Sequence, residues 1–127
     1  MALSKEQLEE ILVELEKKQI EDLKAKNLDG IGSHYHPDAV MVNKTAKKAY
    51  YGREEIKESF KPFFEAYATG TNPTPSKPSY AGSSGDGEYI IRRGTYTFGS
   101  DPKEFPFEVI YKKHEGKYLA YHDEFSA

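Results

Sequence analysis

The chain has no cysteine, no tryptophan and only two methionines among 127 residues. Without cysteine there is neither disulfide stapling nor a thiolate metal site. No apolar run is long enough to cross a membrane, and the first residues lack the apolar core of a secretory signal. A cytoplasmic protein with no membrane partner is the expectation. There is also no basic block: 18 Lys and Arg stand against 21 Asp and Glu, for a net charge of -3. A nucleic-acid backbone is recognised by clustered cations, so that partner class is excluded as well.

What is present is aromatic. Ten Tyr and seven Phe make up 13% of the chain. Disordered chains are poor in such residues, so residues 1–127 read as one folded domain with a Tyr- and Phe-rich interior. Ser4-Lys-Glu-Gln7 has the form of a capping box, and Leu8, Ile11, Leu12, Leu15 and Leu23 follow at helical spacing. The spacing predicts a helix from about Lys5 to Lys26, with Gln19 on its apolar stripe. Leu28 to Tyr35 reads as a short second helix stopped by Pro37. Ala39 to Val42 reads as a buried strand and Lys47 to Tyr51 as its return. Ile56, Phe60, Phe63, Phe64 and Tyr67 form the stripe of a third helix, with Pro62 predicted to kink it or restart it. Thr69 to Pro78 reads as a loop. Strands are predicted at Ser79–Ser83, Glu88–Gly99, Phe105–Lys113 and Tyr118–Phe125, the last two joined by a tight turn at Glu115-Gly116-Lys117. Helices early and strands late make an α+β pattern.

In the segments Leu28-Asp-Gly-Ile31, Tyr35, Asp38-Ala-Val40, Gly52-Arg-Glu-Glu-Ile56, Arg93-Gly-Thr-Tyr-Thr97, Glu115-Gly-Lys-Tyr118 and His122-Asp123 with Ser126, the chain resembles the nuclear transport factor 2-like superfamily. Within it, the chain looks most like the SnoaL-like polyketide cyclase and ketosteroid isomerase branch. It is also similar to the association domain of calcium/calmodulin-dependent kinase. The resemblance implies a curved antiparallel sheet wrapped around three N-terminal helices, a cone with a central pocket, and pairing through the outer sheet face. It assigns no chemistry, because this fold hosts many activities.

The isomerase pattern fails at two of its three positions, and only the third keeps a carboxyl group. Enolisation needs a carboxylate base and two acidic donors for the oxyanion. By the resemblance, the Tyr donor of the first helix matches Gln19, the Asp base of the first strand matches Asn43, and the Asp donor of the penultimate strand matches Glu108. An amide is no general base near neutral pH, so ketosteroid isomerase chemistry is rejected. Gln19 and Asn43 keep the ability to donate and accept hydrogen bonds.

By the same resemblance Arg92 and Tyr96 face the cavity, and Glu108 and Ile110 face it from the neighbouring strand. Glu108 would then meet Arg92, either as an anchor for a carboxylate or enolate ligand or as a plain structural ion pair. His34 and His36 stand two residues apart with no third ligand near them, which speaks for a solvated helix end rather than a metal site. Strand alternation puts His122 inward with Tyr118 and Ala120, and Asp123 outward. Tyr89, Ile91, Tyr111, Leu119 and Tyr121 then lie on the outer face, a patch suited to a homodimer.

The reading that results is a homodimer binding a small apolar or weakly acidic molecule, with no cofactor and no metal. Tyr35, Tyr67 and Tyr96 supply shape; Gln19, Asn43, Arg92, Glu108 and His122 supply polar contacts. Two alternatives stand beside it. One is an isomerase, dehydratase or cyclase using Glu108 or His122 for proton transfer. The other is a protein association module with a vestigial pocket.

Overall fold

A computed structural model describes residues 2–69, 77–97 and 100–126, with the side chains of residues 63 and 65–69 left aside. Helix α1 spans Lys5–Lys24, and its capping box is formed in both directions. The Gln7 amide donates to Ser4 Oγ at 3.1 Å, and the Ser4 amide donates to Gln7 Oε1 at 2.9 Å. Leu8, Leu12 and Leu23 are buried on its inner side. Helix α2 is the short turn Leu28–Ser33, capped by Asn27, whose side chain accepts from the Gly30 amide. Helix α3 runs over Gly52–Thr69 and continues through Pro62, whose exposed ring lies on the solvent side.

The strands are β1 (Tyr35–Asn43), β2 (Lys48–Tyr51), β3 (Lys77–Ser83), β4 (Tyr89–Tyr96), β5 (Phe105–His114) and β6 (Lys117–Phe125). They form one six-stranded sheet in the order β2-β1-β6-β5-β4-β3. The β1–β6 pairing is parallel and the other four are antiparallel, so the sheet is mixed rather than purely antiparallel. Tyr35 opens β1 and does not close a helix. Pro37 falls within that strand, where the β1–β6 register slips between Tyr35 and Val40. Further irregularities lie between Pro78 and Tyr80 and between Ile110 and Tyr111. Such bulges add twist and bend, and this sheet is curved and open. Of the expected Thr69–Pro78 loop, residues 70–76 lie outside the described residues, and Lys77 and Pro78 belong to β3. Phe98 and Gly99, expected at the end of β4, also lie outside them.

The concave face meets the helices. Ile31, Ile56 and Ile90 have no exposed surface, and Tyr35 and Met41 almost none. These five come from α2, α3, β4 and β1, so one apolar core joins the helical layer to the sheet. Each such side chain contributes about 1.5–3 kcal/mol on burial.

Candidate functional site

The cavity lies where the second half of α1 crosses the middle of the sheet. Leu15 and Gln19 come from α1, His34 follows α2, and Tyr35 starts β1; the opposite wall is Val109, Tyr111, Ala120 and Asp123 from β5 and β6. The space open to the centre of a water molecule is about 20 Å³, room for a single water. The cleft is open on one side, and about 320 Å³ of non-protein space, solvent included, surrounds that small hollow.

Asp123 is the chemically distinctive group. It is half-buried, with part of its surface facing the cavity. Its Oδ2 accepts a hydrogen bond from the Tyr35 hydroxyl at 2.8 Å. Burial pushes its carboxyl up to about 6, against the lowering effects of the Tyr35 bond and of His122, while Glu124 adds to the rise. Tyr35 is itself raised well above the ordinary phenol range, first by burial and then by Asp123, with the neighbouring Gln19 amide working the other way. Tyr111 is raised by burial too, and the Arg92 guanidinium beside it offsets part of that.

A second polar unit sits next to the first. Arg92, buried on β4, makes an ion pair with Glu16 of α1, and its guanidinium lies over the Phe107 ring, 5.6 Å from the centroid. Burial alone disfavours its charge; Tyr111 and Glu16 outweigh that, so the proton is held more tightly than usual. A third unit closes the edge: His34 Nε2 lies 2.6 Å from Asp22 Oδ2.

Of the residues singled out in the sequence, the cavity brings Gln19 and Tyr35 together, and Arg92 stands behind Tyr111. Tyr96 faces inward, but its hydroxyl donates to the Ser126 carbonyl at 2.5 Å and it is not part of the lining. Asn43 is turned to the β1–β2 connection, where its Oδ1 accepts from the Ala46 amide at 3.1 Å. The Tyr67 side chain lies outside the described residues.

Two placements are corrected. Glu108 pairs with Arg93, not Arg92: Arg93 and Glu108 are direct cross-strand partners on the outer face, with Nε and Oε2 2.5 Å apart. Cross-strand partners share a face, so Val109 is what stands opposite Arg92. The inner face of β5 is therefore Phe107, Val109 and Tyr111, and Ile110 and Glu108 point away. His122 also points outward, where its Nε2 lies 3.0 Å from Glu124 Oε1. The reason is the bulge in β6. Ile110 pairs with His122 but Tyr111 pairs with Ala120, so Tyr121 is an extra residue and the alternation beyond it is reversed. Asp123 thereby turns in, opposite Val109.

His34 and His36 take separate surroundings. His36 is buried at the outer edge against the His114 and Tyr121 rings, and its Nδ1 accepts from the Asp38 amide at 3.0 Å. Burial and then His114 lower its pKa. No group of three metal-ligating side chains occurs among the described residues. The outer sheet face carries Tyr80 and Tyr89, 51% and 37% exposed, with Ile91 half-buried beside them. Tyr111, expected there, is on the inside. No helix is long and apolar enough to cross a membrane among the described residues.

No family model and no curated protein sequence matches the chain. Solved structures do. An NTF-2 like protein of unknown function from Shewanella oneidensis MR-1 superposes with a TM-score of 0.73 at 15% identity, over 94% of this chain and 98% of that one. A protein of unknown function with a cystatin-like fold from Nostoc punctiforme gives 0.70 at 15% identity, over 99% and 94%. The fold is nuclear transport factor 2-like. A Xanthomonas campestris protein named for the calcium/calmodulin dependent protein kinase II association domain gives 0.66 at 22% identity, over 91% and 81%. At these identities the likeness is one of fold, and the nuclear transport factor 2-like frame places α1 over the concave sheet without specifying the groups between them.

Proposed function

We propose that this nuclear transport factor 2-like domain binds a small, partly apolar molecule in the cleft between α1 and the sheet, with the Tyr35–Asp123 pair as its polar anchor. The observation that carries this is the position of Asp123. An ionisable carboxyl deep in a fold is costly to keep unless it has a task, and perturbed carboxyls at cavities mark functional sites. Here the carboxyl opens onto space lined also by Leu15, Val109, Ala120, two Tyr rings, Gln19 and His34, an apolar wall with a few polar groups. Glu108 and His122 stand on the outer face, so an acid–base reading through either one lacks access to the cavity.

Assembly as a homodimer is part of the proposal. Tyr80 and Tyr89 on the outer sheet face, next to Ile91, are the large side chains that a second copy would cover. Native mass spectrometry of the purified protein tests both parts. A retained small molecule and a doubled mass support them. A bare monomer, with no shift of Tyr35 or Tyr111 ring signals when a fragment library is added, would overturn them.

A further inference from the structure

Three partly buried carboxylates of α1 and β6 differ in their partners. Glu16 has the Arg92 guanidinium, and Asp22 has the His34 ring. Asp123 has Tyr35 alone, and no Lys or Arg bonds it among the described residues. Its near neighbours from the packed elements are Tyr35 of β1, Tyr96 of β4, Tyr111 of β5, and His122 and Glu124 along its own strand, and the His34 ring after α2 shares the cavity wall with it. His122 acts from the opposite face, and the Gln19 side chain on α1 is neutral. Buried charges require counter-charges, and among the described residues no Lys or Arg supplies one to Asp123.

Resting on the ligand-binding reading above, we propose that the cavity takes the cationic head of a small organic amine, its ammonium group seated on Asp123 and its apolar tail running along Leu15 and Val109. The narrow space beside the carboxyl holds one water-sized group, and an ammonium head is that size. An ammonium offers three donors, and the wall offers acceptors in the Asp123 carboxylate and the tyrosine hydroxyls. The Tyr35 and Tyr111 rings add the attraction of aromatic faces for a cation. An anionic ligand finds no free anchor in this cleft, because Arg92 is bonded to Glu16.

The test uses the full chain and three probes of one shape: n-butylammonium, 1-butanol and butyrate, at constant ionic strength. Binding is followed by calorimetry and by the carboxyl resonance of Asp123, which reports on that group alone. The expected result at pH 7.5 is at least tenfold tighter binding of butylammonium than of butanol, with butyrate weakest. Saturating butylammonium lowers the Asp123 pKa by a unit or more, the linkage of a tenfold preference for the ionised form. The margin disappears at pH 5 and in Asp123→Asn, a near-isosteric change; the comparison of two pH values on the unaltered chain stands even where that variant fails to fold. Butanol binding as well as butylammonium, with Asp123 unmoved, overturns the amine inference and leaves the cavity reading intact. Potassium chloride displacing the probe at equal concentration overturns it in favour of an inorganic cation site. No response of Tyr35, Tyr111 or Asp123 to any probe overturns both.

Discussion

Replacing Asp123 by Asn removes one titratable proton from the middle of the fold and little else. The amide oxygen can still accept from the Tyr35 hydroxyl, and the volume is nearly unchanged. The Asp123 carboxyl moves from an ordinary 3.8 up to about 6 on folding. At roughly 1.4 kcal/mol per unit, ionising it in the native state costs about 3 kcal/mol. The folded pKa is the higher one, so the contribution has a definite direction. Below about pH 3.8 the proton is bound in both states and the stabilisation is complete. Between about pH 4 and 6 the unfolded chain loses the proton first and the stabilisation drains away. Above about pH 6 it is gone. Asp123→Asn has no such dependence, so at pH 7.5 it should exceed the parent by about 3 kcal/mol more than it does at pH 3.5. For a chain of this length that is a rise of about 10 °C in Tm. The assay is urea unfolding of both proteins at half-unit pH steps, because the difference between them cancels every other titrating group. A difference that stays flat across that range, or moves the other way, would refute the burial of a carboxyl without a cationic partner at this place.

Tyr35→Phe removes the bond that holds the Asp123 pKa down, so the carboxyl should titrate above about 6, as read from its carboxyl resonance. Glu16→Gln leaves the Arg92 guanidinium buried without its carboxylate; the expected loss is about 2–3 kcal/mol in urea unfolding, short of the 3–5 of a sealed pair because Glu16 is partly wet. Glu108→Gln breaks the outer-face pair with a half-exposed Arg93, and the same assay should find less than about 1 kcal/mol. Equal losses for these two variants would contradict an inward Arg92–Glu16 pair and an outward Arg93–Glu108 pair. Gly94→Ala drives a Cβ into the Lys77 carbonyl oxygen and against the Phe107 ring, so β3 must move away from β4. A cost of about 1–3 kcal/mol is expected, with faster amide exchange along β3.

Much of the frame was legible in the sequence. The Ser4–Gln7 capping box, the α1 stripe, the order of the strands along the chain and the inward phase of Arg92 on β4 all follow from local pattern and resemblance, whereas β1 and β3 begin earlier than that pattern indicates. The wall of the cavity did not. On β5 the apolar set Phe107, Val109 and Tyr111 alternates against Glu108 and Lys112, a signal sufficient to turn Val109 inward; matching Glu108 to an isomerase donor points the other way, and the local pattern is the better guide. On β6 no local pattern serves. A strand read by strict alternation puts His122 and Asp123 on faces set by Tyr118 and Ala120, and one extra residue at Tyr121 exchanges them. A bulge is a mismatch in length between two paired strands, so it becomes visible only when both are in register. That single residue decides which of two adjacent side chains faces the cavity. His34 was legible as a residue of interest, but its partner Asp22 is twelve positions away on another helix, beyond the reach of spacing rules.

The side-by-side alignment of the first and last strands has a consequence for biosynthesis. Roughly 80 residues separate the two, and ribosomes add about 5–20 residues per second. For about 4–16 s, therefore, the edge formed by Val40, Met41 and Val42 waits with one row of amides and carbonyls unsatisfied. Until translation has passed Phe125, that edge is open to any other nascent chain, and a chaperone holding it would bear directly on yield.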